Sequence, residues 1–217
     1  MSTQGRQLLQ TILPSNPLLS MKRIILSLCL SLLVFANTQA QSLTHSKDWN
    51  TLLGLFEKED WQAANKLSLT ILNKTPKKQR DGADAAKVRY MYIYSEAGLM
   101  NIKKATKTEA LKKVSGMTGR MVTLPGHPVS LKDDFNSIRK SDHETDSLFV
   151  TATNKAATSI FGFEYIILDN KWTKDDLKAN AGKIFRISGT LRSIKVEGNM
   201  FPRFRILIDH GTAVEQQ

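Results

Sequence analysis

The sequence predicts an α+β protein in which an N-terminal helical region precedes a five-stranded β-barrel with one short helix. Apolar residues recur at helical spacing between about 47 and 116, and the period changes to two from about 119 onward. The chain has 217 residues, 41% of them hydrophobic and 24% charged, which is the composition of a folded protein. These observations exclude disorder as the main state.

The start of the chain has the parts of a secretory signal peptide within residues 21–41. A basic start is followed by the apolar residues 24–35 and by the small residues Thr38 and Ala40. An apolar helix of 12 residues spans roughly 18 Å, less than the ~30 Å core of a bilayer. We therefore expect cleavage after Ala40, export to the periplasm or medium, and a mature chain without a transmembrane anchor.

Four segments follow from this assignment. Residues 1–20 precede the signal and are expected to be a mis-assigned extension, because a signal peptide begins at the chain start. Residues 21–40 are the signal, 41–116 the helical region and 117–217 the barrel. The single Cys29 lies within the signal, so the mature chain has no disulfide, thiolate metal site or cysteine nucleophile.

The helical region contains four predicted helices. The first has Trp49, Leu52, Leu53 and Phe56 on one face, and the second begins at Trp61 and ends before Pro76. The others cover about 84–100 and 106–114.

The spacing of Trp49, Leu52, Phe56 and Pro76 resembles that of tetratricopeptide repeats, which implies TPR-like helical hairpins and a peptide-binding groove. Leu53 stands where that family has a small residue, and Ala64 is one position short. A generic cap of three or four helices stays an open alternative.

The second half contains short alternating segments separated by turn residues. Strands are predicted at 119–131, with a Pro-Gly turn inside, and at 148–153, 158–168, 183–194 and 204–209. Residues 132–146 are expected to form a charged loop. Thr173 is the expected N-cap of a short helix that ends near Asn180.

A helix between the third and fourth of five strands is the layout of an OB-fold barrel. The segment from Ala181 to Ile194, which contains Gly182-Lys183 and Gly189, resembles the fourth strand of secreted bacterial OB-fold domains of the tRNA-anti-like type. The segment Pro202–Asp209 resembles their final strand. The resemblance implies a five-stranded OB-like barrel and does not define a ligand. Gly189, inside a strand, is expected at a bulge or a kink of the barrel.

Strand alternation also predicts which side chains are buried. The expected barrel core consists of Phe161, Phe163, Tyr165, Ile167, Phe185, Ile187, Leu191, Phe204, Ile206 and Ile208. The opposite face would then expose Phe149, Thr151, Ile160, Ile166 and Leu168. This face is either a binding surface or the surface on which the helical half packs. We favour packing, because the helices carry more aromatic residues, Trp61 and several tyrosines, than a single apolar stripe needs.

The sequence contains no pattern typical of catalysis. No two of the four histidines have metal-ligand spacing. The paired acids at 133–134 and 175–176 do not require a catalytic explanation. The acidic segment 142–146 could bind a cation but is equally well explained as a solvated loop. We therefore predict no enzymatic activity, no cofactor and no metal site.

The basic side chains suggest the remaining candidate site. Arg186, Arg192, Arg203 and Arg205 alternate with apolar residues on two neighbouring strands and are expected to meet on one outer face. With Phe149 and Ile166 they are the candidate partner-binding residues. The net charge of +11 fits an anionic glycan, a lipid headgroup or an envelope protein as partner. Export and the expected inward position of the aromatic residues argue against nucleic acid.

The sequence therefore predicts an exported, non-catalytic envelope protein that acts as a binding module. The alternative is an OB-fold binder of nucleic acid or another polyanion through its arginine face.

Overall fold

The computed structural model describes residues 46–141 and 146–216. The predicted extension 1–20, the predicted signal peptide 21–40 and residues 142–145 of the acidic loop lie outside the described residues. Within these ranges, no helix is both long enough and apolar enough to cross a bilayer.

Five α-helices lie within the described ranges, and their caps explain their bounds. Side-chain oxygens of Ser46 and Asp60 accept hydrogen bonds from the first turns of α1 and α2, while Thr106 and Thr173 form capping boxes at α4 and α5. The helices are α1 (Lys47–Glu57), α2 (Trp61–Lys74), α3 (Ala83–Asn101), α4 (Lys107–Ser115) and α5 (Lys174–Ala179). The predicted helices are confirmed; the likeness of the first four to tetratricopeptide repeats stays a prediction.

The long helix α3 is the centre of the fold. It packs against α2 on one side and against strands of the sheet on the other, so nearly all of its faces are buried. The guanidinium of Arg89 in α3 donates to the backbone carbonyls of Met121 and Arg80 and so joins the helix to the first strand. This double burial explains why α3 lacks the one-sided apolar stripe of a surface helix.

The second half folds into a six-stranded curled sheet that forms a half-barrel. Its strands are β1 (Met121–Pro128), β2 (Arg139–Lys140), β3 (Leu148–Thr153), β4 (Ile160–Leu168), β5 (Ile184–Glu197) and β6 (Arg203–Glu215). The order across the sheet is β1-β5-β6-β4-β3-β2, with β4 and β6 parallel and the other pairs antiparallel. This order is compatible with an OB-like barrel.

Two details of the sheet bear on the sequence predictions. The register of the β5–β6 pair shifts opposite Gly189, but there the extra residue is on β6, between Asp209 and Thr212, whereas the extra residue of β5 is Arg192. An added Cβ at Gly189 would lie 2.6 Å from a methyl of Ile208. The two-residue strand β2 was not predicted, because it lies in the charged stretch that was expected to be a loop.

The predicted faces are correct on β5 and β6 but wrong on β4. Phe161 is an extra residue at a register irregularity between β3 and β4, so the alternation breaks after it. Ile166 and Leu168, predicted to be exposed, are 0% and 5% exposed and belong to the core. Phe163 and Tyr165, predicted to point inward, lie on the outer face beside Phe149.

The helices do pack on the sheet, as predicted, but on its inner face. Phe161 contacts the rings of Trp61 and Tyr94, with ring centroids 5.1 and 5.2 Å apart. The hydroxyl of Tyr90 donates to Glu164, and both belong to the buried interface between α3 and β4. One continuous core therefore joins both halves.

Candidate functional site

A cavity of about 750 Å³ lies between the helices and the sheet, which we name the seam cavity. Its wall comes from α1, α3 and the α1–α2 connection on one side, and from β1, β5 and the end of β3 on the other. β1 and β3 do not pair with each other, so the sheet is open where the cavity lies. The volume is typical of a small-molecule site.

Aromatic side chains form much of the helical wall. Phe56, Trp61 and Tyr94 contact one another with ring centroids 5.7 to 5.8 Å apart, and Tyr90 lies 6.1 Å from Tyr94. Trp49 adds a further ring to the same wall. Such rings give a large apolar contact area, as organic ligands require.

The β3 side of the cavity is held by hydrogen bonds within the protein. The Asn136 amide donates to the Thr153 hydroxyl at 2.8 Å and accepts from its backbone N–H at 3.1 Å. The Tyr94 hydroxyl donates to the Thr153 carbonyl, so the end of β3 has its own partners. This part of the wall is therefore fixed before any ligand arrives.

Two polar groups on the β1–β5 side have no such partners. His127 is 7% exposed, and its buried Nε2 has no hydrogen-bond partner among the described residues. Arg186 also lines the cavity; its side chain is half-exposed and has no acid or carbonyl partner among the described residues. Arg186 stands opposite Gly126 and His127 stands opposite Phe185 in the β1–β5 register, so the two side chains leave the sheet on opposite faces.

Hydrogen bonding and burial define the state of His127. Its Nδ1 lies 2.9 Å from the carbonyl oxygen of Asn136, which can only accept, so Nδ1 carries the proton. Burial lowers the pKa of His127 and so favours the neutral ring. Nε2 of the neutral ring is therefore an acceptor.

A buried carboxyl lies behind the aromatic wall. Glu164 is 1% exposed and accepts from the Tyr90 hydroxyl at 2.7 Å, while its second oxygen has no partner among the described residues. Burial raises the pKa of Glu164 to about 7. Burial also raises the pKa of Tyr90.

The structure does not bring the four predicted arginines together. Arg186 lies nine positions along β5 from Lys195, which stands opposite Arg205; at the rise of a strand this is roughly 30 Å. Arg192 is exposed and forms an ion pair with Asp209 at 3.4 Å. Only Arg203 and Arg205 remain neighbours.

These two arginines belong to an ordered outer surface. Arg203 lies 4.4 Å above the ring of Phe163, and Arg205 lies 4.7 Å above that of Tyr165. Arg205 also pairs with Glu197 at 3.6 Å. We name this the arginine–aromatic surface; its residues are Arg139, Phe149, Phe163, Tyr165, Arg203 and Arg205.

The other two predicted site residues have opposite positions. Phe149 is half-buried in the arginine–aromatic surface, where Arg139 lies 4.8 Å above its ring. Ile166 is fully buried in the core, so its predicted place on an exposed patch is wrong. Arg139 was missed because its surroundings read as a loop, and His127 because Gly126-His127-Pro128 reads as a turn.

Within the described ranges, no group of three or more His, Cys, Asp or Glu side chains could hold a metal ion. Comparison with family models, curated proteins and solved structures finds no match to this chain. The seam cavity and the arginine–aromatic surface are therefore the two features from which a function can be inferred.

Proposed function

We propose that this chain is an exported, non-catalytic binding protein of the bacterial envelope, and that the seam cavity is its ligand site. The observation that carries the proposal is an aromatic-walled cavity of about 750 Å³ whose lining includes Arg186, a cation without an acid or carbonyl partner among the described residues. Ligand pockets are usually apolar with a few polar groups that fix orientation, and the seam cavity has this composition. The signal-peptide pattern in residues 21–40 supports export.

The half-barrel supplies the rigid part of this proposed site. Its strand order, the parallel β4–β6 pair and the short helix between β4 and β5 support an OB-like barrel. In this proposal the helices cover the opening between β1 and β3.

Binding of a neutral apolar dye such as Nile red to the exported chain tests the cavity. Leu53 lines the cavity mouth and Leu69 does not, yet both lie on the first two helices and are 39% exposed. We expect Leu53→Lys to weaken dye binding about ten-fold or more, because a charge at an apolar mouth must be desolvated. Leu69→Lys is the matched control and should bind the dye as the wild type does.

Two results would contradict the proposal. One is the absence of saturable dye binding to the folded wild type; the other is an equal loss of affinity in the two lysine variants. Recovery of the native protein in the cytoplasm with its N-terminus uncleaved would contradict the export part alone.

A second candidate function is polyanion binding by the arginine–aromatic surface. Arg203 favours it, because its side chain has no acidic partner among the described residues. Against it, Arg139, Arg192 and Arg205 already have carboxylate partners. Salt-dependent retention on a heparin column that is lost in Arg203→Gln, with Arg192→Gln as control, would support this candidate.

A further inference from the structure

The seam cavity runs along the free edge of β1. Residues 123–127 all line the cavity, although successive side chains of a strand point to opposite faces. A cavity lined by five consecutive residues therefore extends along the edge of the strand, toward which its backbone groups point. β1 pairs with β5 on one side and with no strand of the described ranges on the other. The cavity thus borders an unpaired strand edge, which is a template for a further strand.

The gap beside this edge has the width of one strand, as the segment 136–138 shows. The N–H of Ile138 donates to the carbonyl of Pro128, the last residue of β1, at 2.8 Å. On the other side of the segment, the N–H of Asn136 donates to the carbonyl of Thr151 in β3 at 3.1 Å. The segment therefore lies between the two strands as an intervening strand would, and their separation there is roughly 10 Å.

The seam cavity is the continuation of this gap beyond the segment. Asn136 lines one end of the cavity, residues 123–127 line one long side, and residues 152–155, at the end of β3, line the other. The helices α1 and α3 cover the cavity on the inner face of the sheet. An extended chain placed in the cavity would continue the line of residues 136–138 beside β1.

Gly126 presents its backbone groups to the cavity. The carbonyl of Pro128 points into the gap, and the backbone groups of alternate residues point to the same side of a strand. The N–H and C=O of Gly126 therefore point into the gap as well, where no described strand or backbone group pairs with them. Pro125 has no N–H and lies at a register shift, so the edge suits only a short partner. A peptide backbone supplies both the donor and the acceptor that Gly126 lacks.

Arg186 adds a preference for negative charge. It stands opposite Gly126 in the β1–β5 register, so the two residues belong to the same face of the sheet. Because Gly126 has no side chain, the guanidinium can extend across β1, and Arg186 lines the cavity although it lies on the second strand. A residue paired with the free side of Gly126 would direct its side chain to this face, where an acidic group binds a guanidinium well.

The neighbouring residues of such a chain would point to the opposite face. That face is the inner one, where Trp61 and Tyr94 belong to the aromatic wall of the cavity. Apolar side chains at these two positions would therefore be buried against aromatic rings.

We propose that the seam cavity binds an extended peptide segment that pairs with the free edge of β1. In this arrangement, an acidic side chain opposite Gly126 binds Arg186, and the apolar side chains on either side of it contact the aromatic wall. This proposal rests on the proposed function, since it assigns the ligand class of the same cavity.

The charges of the lining are compatible with this orientation. Its acidic residues, Glu57 and Glu59, belong to the helical side, and no acid of the lining comes from β1 or β5. Glu59 is also engaged, because it accepts a hydrogen bond from the backbone N–H of Lys155 at 2.8 Å. An acidic side chain at Arg186 therefore meets no like charge on its own side of the cavity.

Other ligand classes use these features less completely. An amphipathic anion such as a fatty acid would satisfy Arg186 and the aromatic wall, but it has no donor for the carbonyl of Gly126. A neutral apolar molecule would leave both Arg186 and the strand edge without partners. A peptide with alternating apolar and acidic side chains satisfies all three features.

Calorimetric titration of the exported chain with a capped pentapeptide tests the side-chain part. The probe is acetyl-Thr-Phe-Asp-Phe-Thr-amide, whose only charge is the aspartate, and its asparagine analogue is the control. We expect the aspartate peptide to bind about five-fold tighter, because the analogue loses a charge-assisted hydrogen bond. Arg186→Gln should remove this preference, whereas Arg192→Gln, which alters an exposed arginine of the same strand, should retain it.

Amide-to-ester replacement in the probe tests the backbone part, because it removes one N–H without adding bulk. One peptide carries the ester at the aspartate, and the other carries it at the phenylalanine that follows. Successive N–H groups of an extended chain point to opposite sides, so only one of the two faces β1 and should bind about five-fold more weakly. The other faces the end of β3, where the N–H and C=O of Thr153 already have partners.

Three results would overturn the proposal. They are equal affinity for the aspartate and asparagine peptides in the wild type, a preference for aspartate that persists in Arg186→Gln, and equal affinity for the two esters. If Nile red binds but one of these results is obtained, the ligand class is wrong and the cavity function stands. If neither the dye nor the peptide binds, both proposals fail.

A longer probe identifies the source of the peptide. The pentapeptide extended by glycines at both ends should bind as the parent does if the natural ligand is a segment of a longer chain. Loss of binding would indicate a short free peptide. Both of these outcomes support the proposed ligand class.

Discussion

Replacement of Glu164 by glutamine should make the protein less sensitive to pH. The native carboxyl has its pKa raised from 4.5 to about 7 by burial, so the folded chain holds this proton more tightly than the unfolded chain. Its contribution to the free energy of unfolding is largest below about pH 4.5 and falls as pH rises through the window to about pH 7. At about 1.4 kcal/mol per pKa unit, the whole loss is about 3–4 kcal/mol.

Urea unfolding at about pH 5 and about pH 8 measures this loss. The wild type should lose about 2–3 kcal/mol more than Glu164→Gln between these values. His127 also titrates differently in the folded and unfolded chains, but it is present in both proteins, so its effect cancels in the difference. Glutamine keeps the shape of the side chain and an oxygen that accepts from Tyr90.

A second variant tests the cause of the shift. The hydrogen bond from Tyr90 lowers the pKa of Glu164 against the larger effect of burial. Tyr90→Phe should therefore move the pH range over which stability is lost to higher pH.

One outcome would refute the prediction for Glu164. If the wild type and Glu164→Gln lose equal stability between about pH 5 and about pH 8, the carboxyl does not have the raised pKa that burial gives it.

Three further predictions concern the chain as a whole. N-terminal sequencing of the exported product should begin at Gln41 or within a few residues, and a retained Met1 or Met21 would contradict cleavage. Phe204→Ala should lower the free energy of unfolding by about 3–5 kcal/mol in urea titrations, and a loss below about 1 kcal/mol would mean that the strand faces are misassigned. Residues 117–217 expressed alone should bind ANS or aggregate, because the helices no longer cover the inner face; a monomer without dye binding would show that the helices are only tethered.

The order of the elements could be predicted because each carries a local signal. The N-cap at Thr173 and Pro76, which follows the end of α2, both act within a few residues. The faces of β5 and β6 followed from alternation for the same reason. Local patterns were sufficient there although the β5–β6 register shifts twice, since the predicted core residues of both strands remain buried.

The face of β4 could not be predicted because its burial depends on distant residues. Glu164 lies on the inner face, where a charged residue is not expected, and it is accommodated by Tyr90 from another part of the chain. The bulge at Phe161 shifts the alternation, and Gly162 beside it was the sequence signal that could have indicated it. The cavity was missed for the same reason, since its wall combines six separate stretches of the sequence.

The positions of the three tryptophans give the protein an internal optical reporter. Trp49 and Trp61 line the seam cavity, whereas Trp172 packs against Phe185 with ring centroids 4.9 Å apart and lies outside the lining. In a Trp172→Phe background, all indole emission comes from the cavity wall. Occupancy can then be followed by quenching or spectral shift without any label, which makes unbiased screening of metabolite and peptide libraries practical with the unmodified ligands.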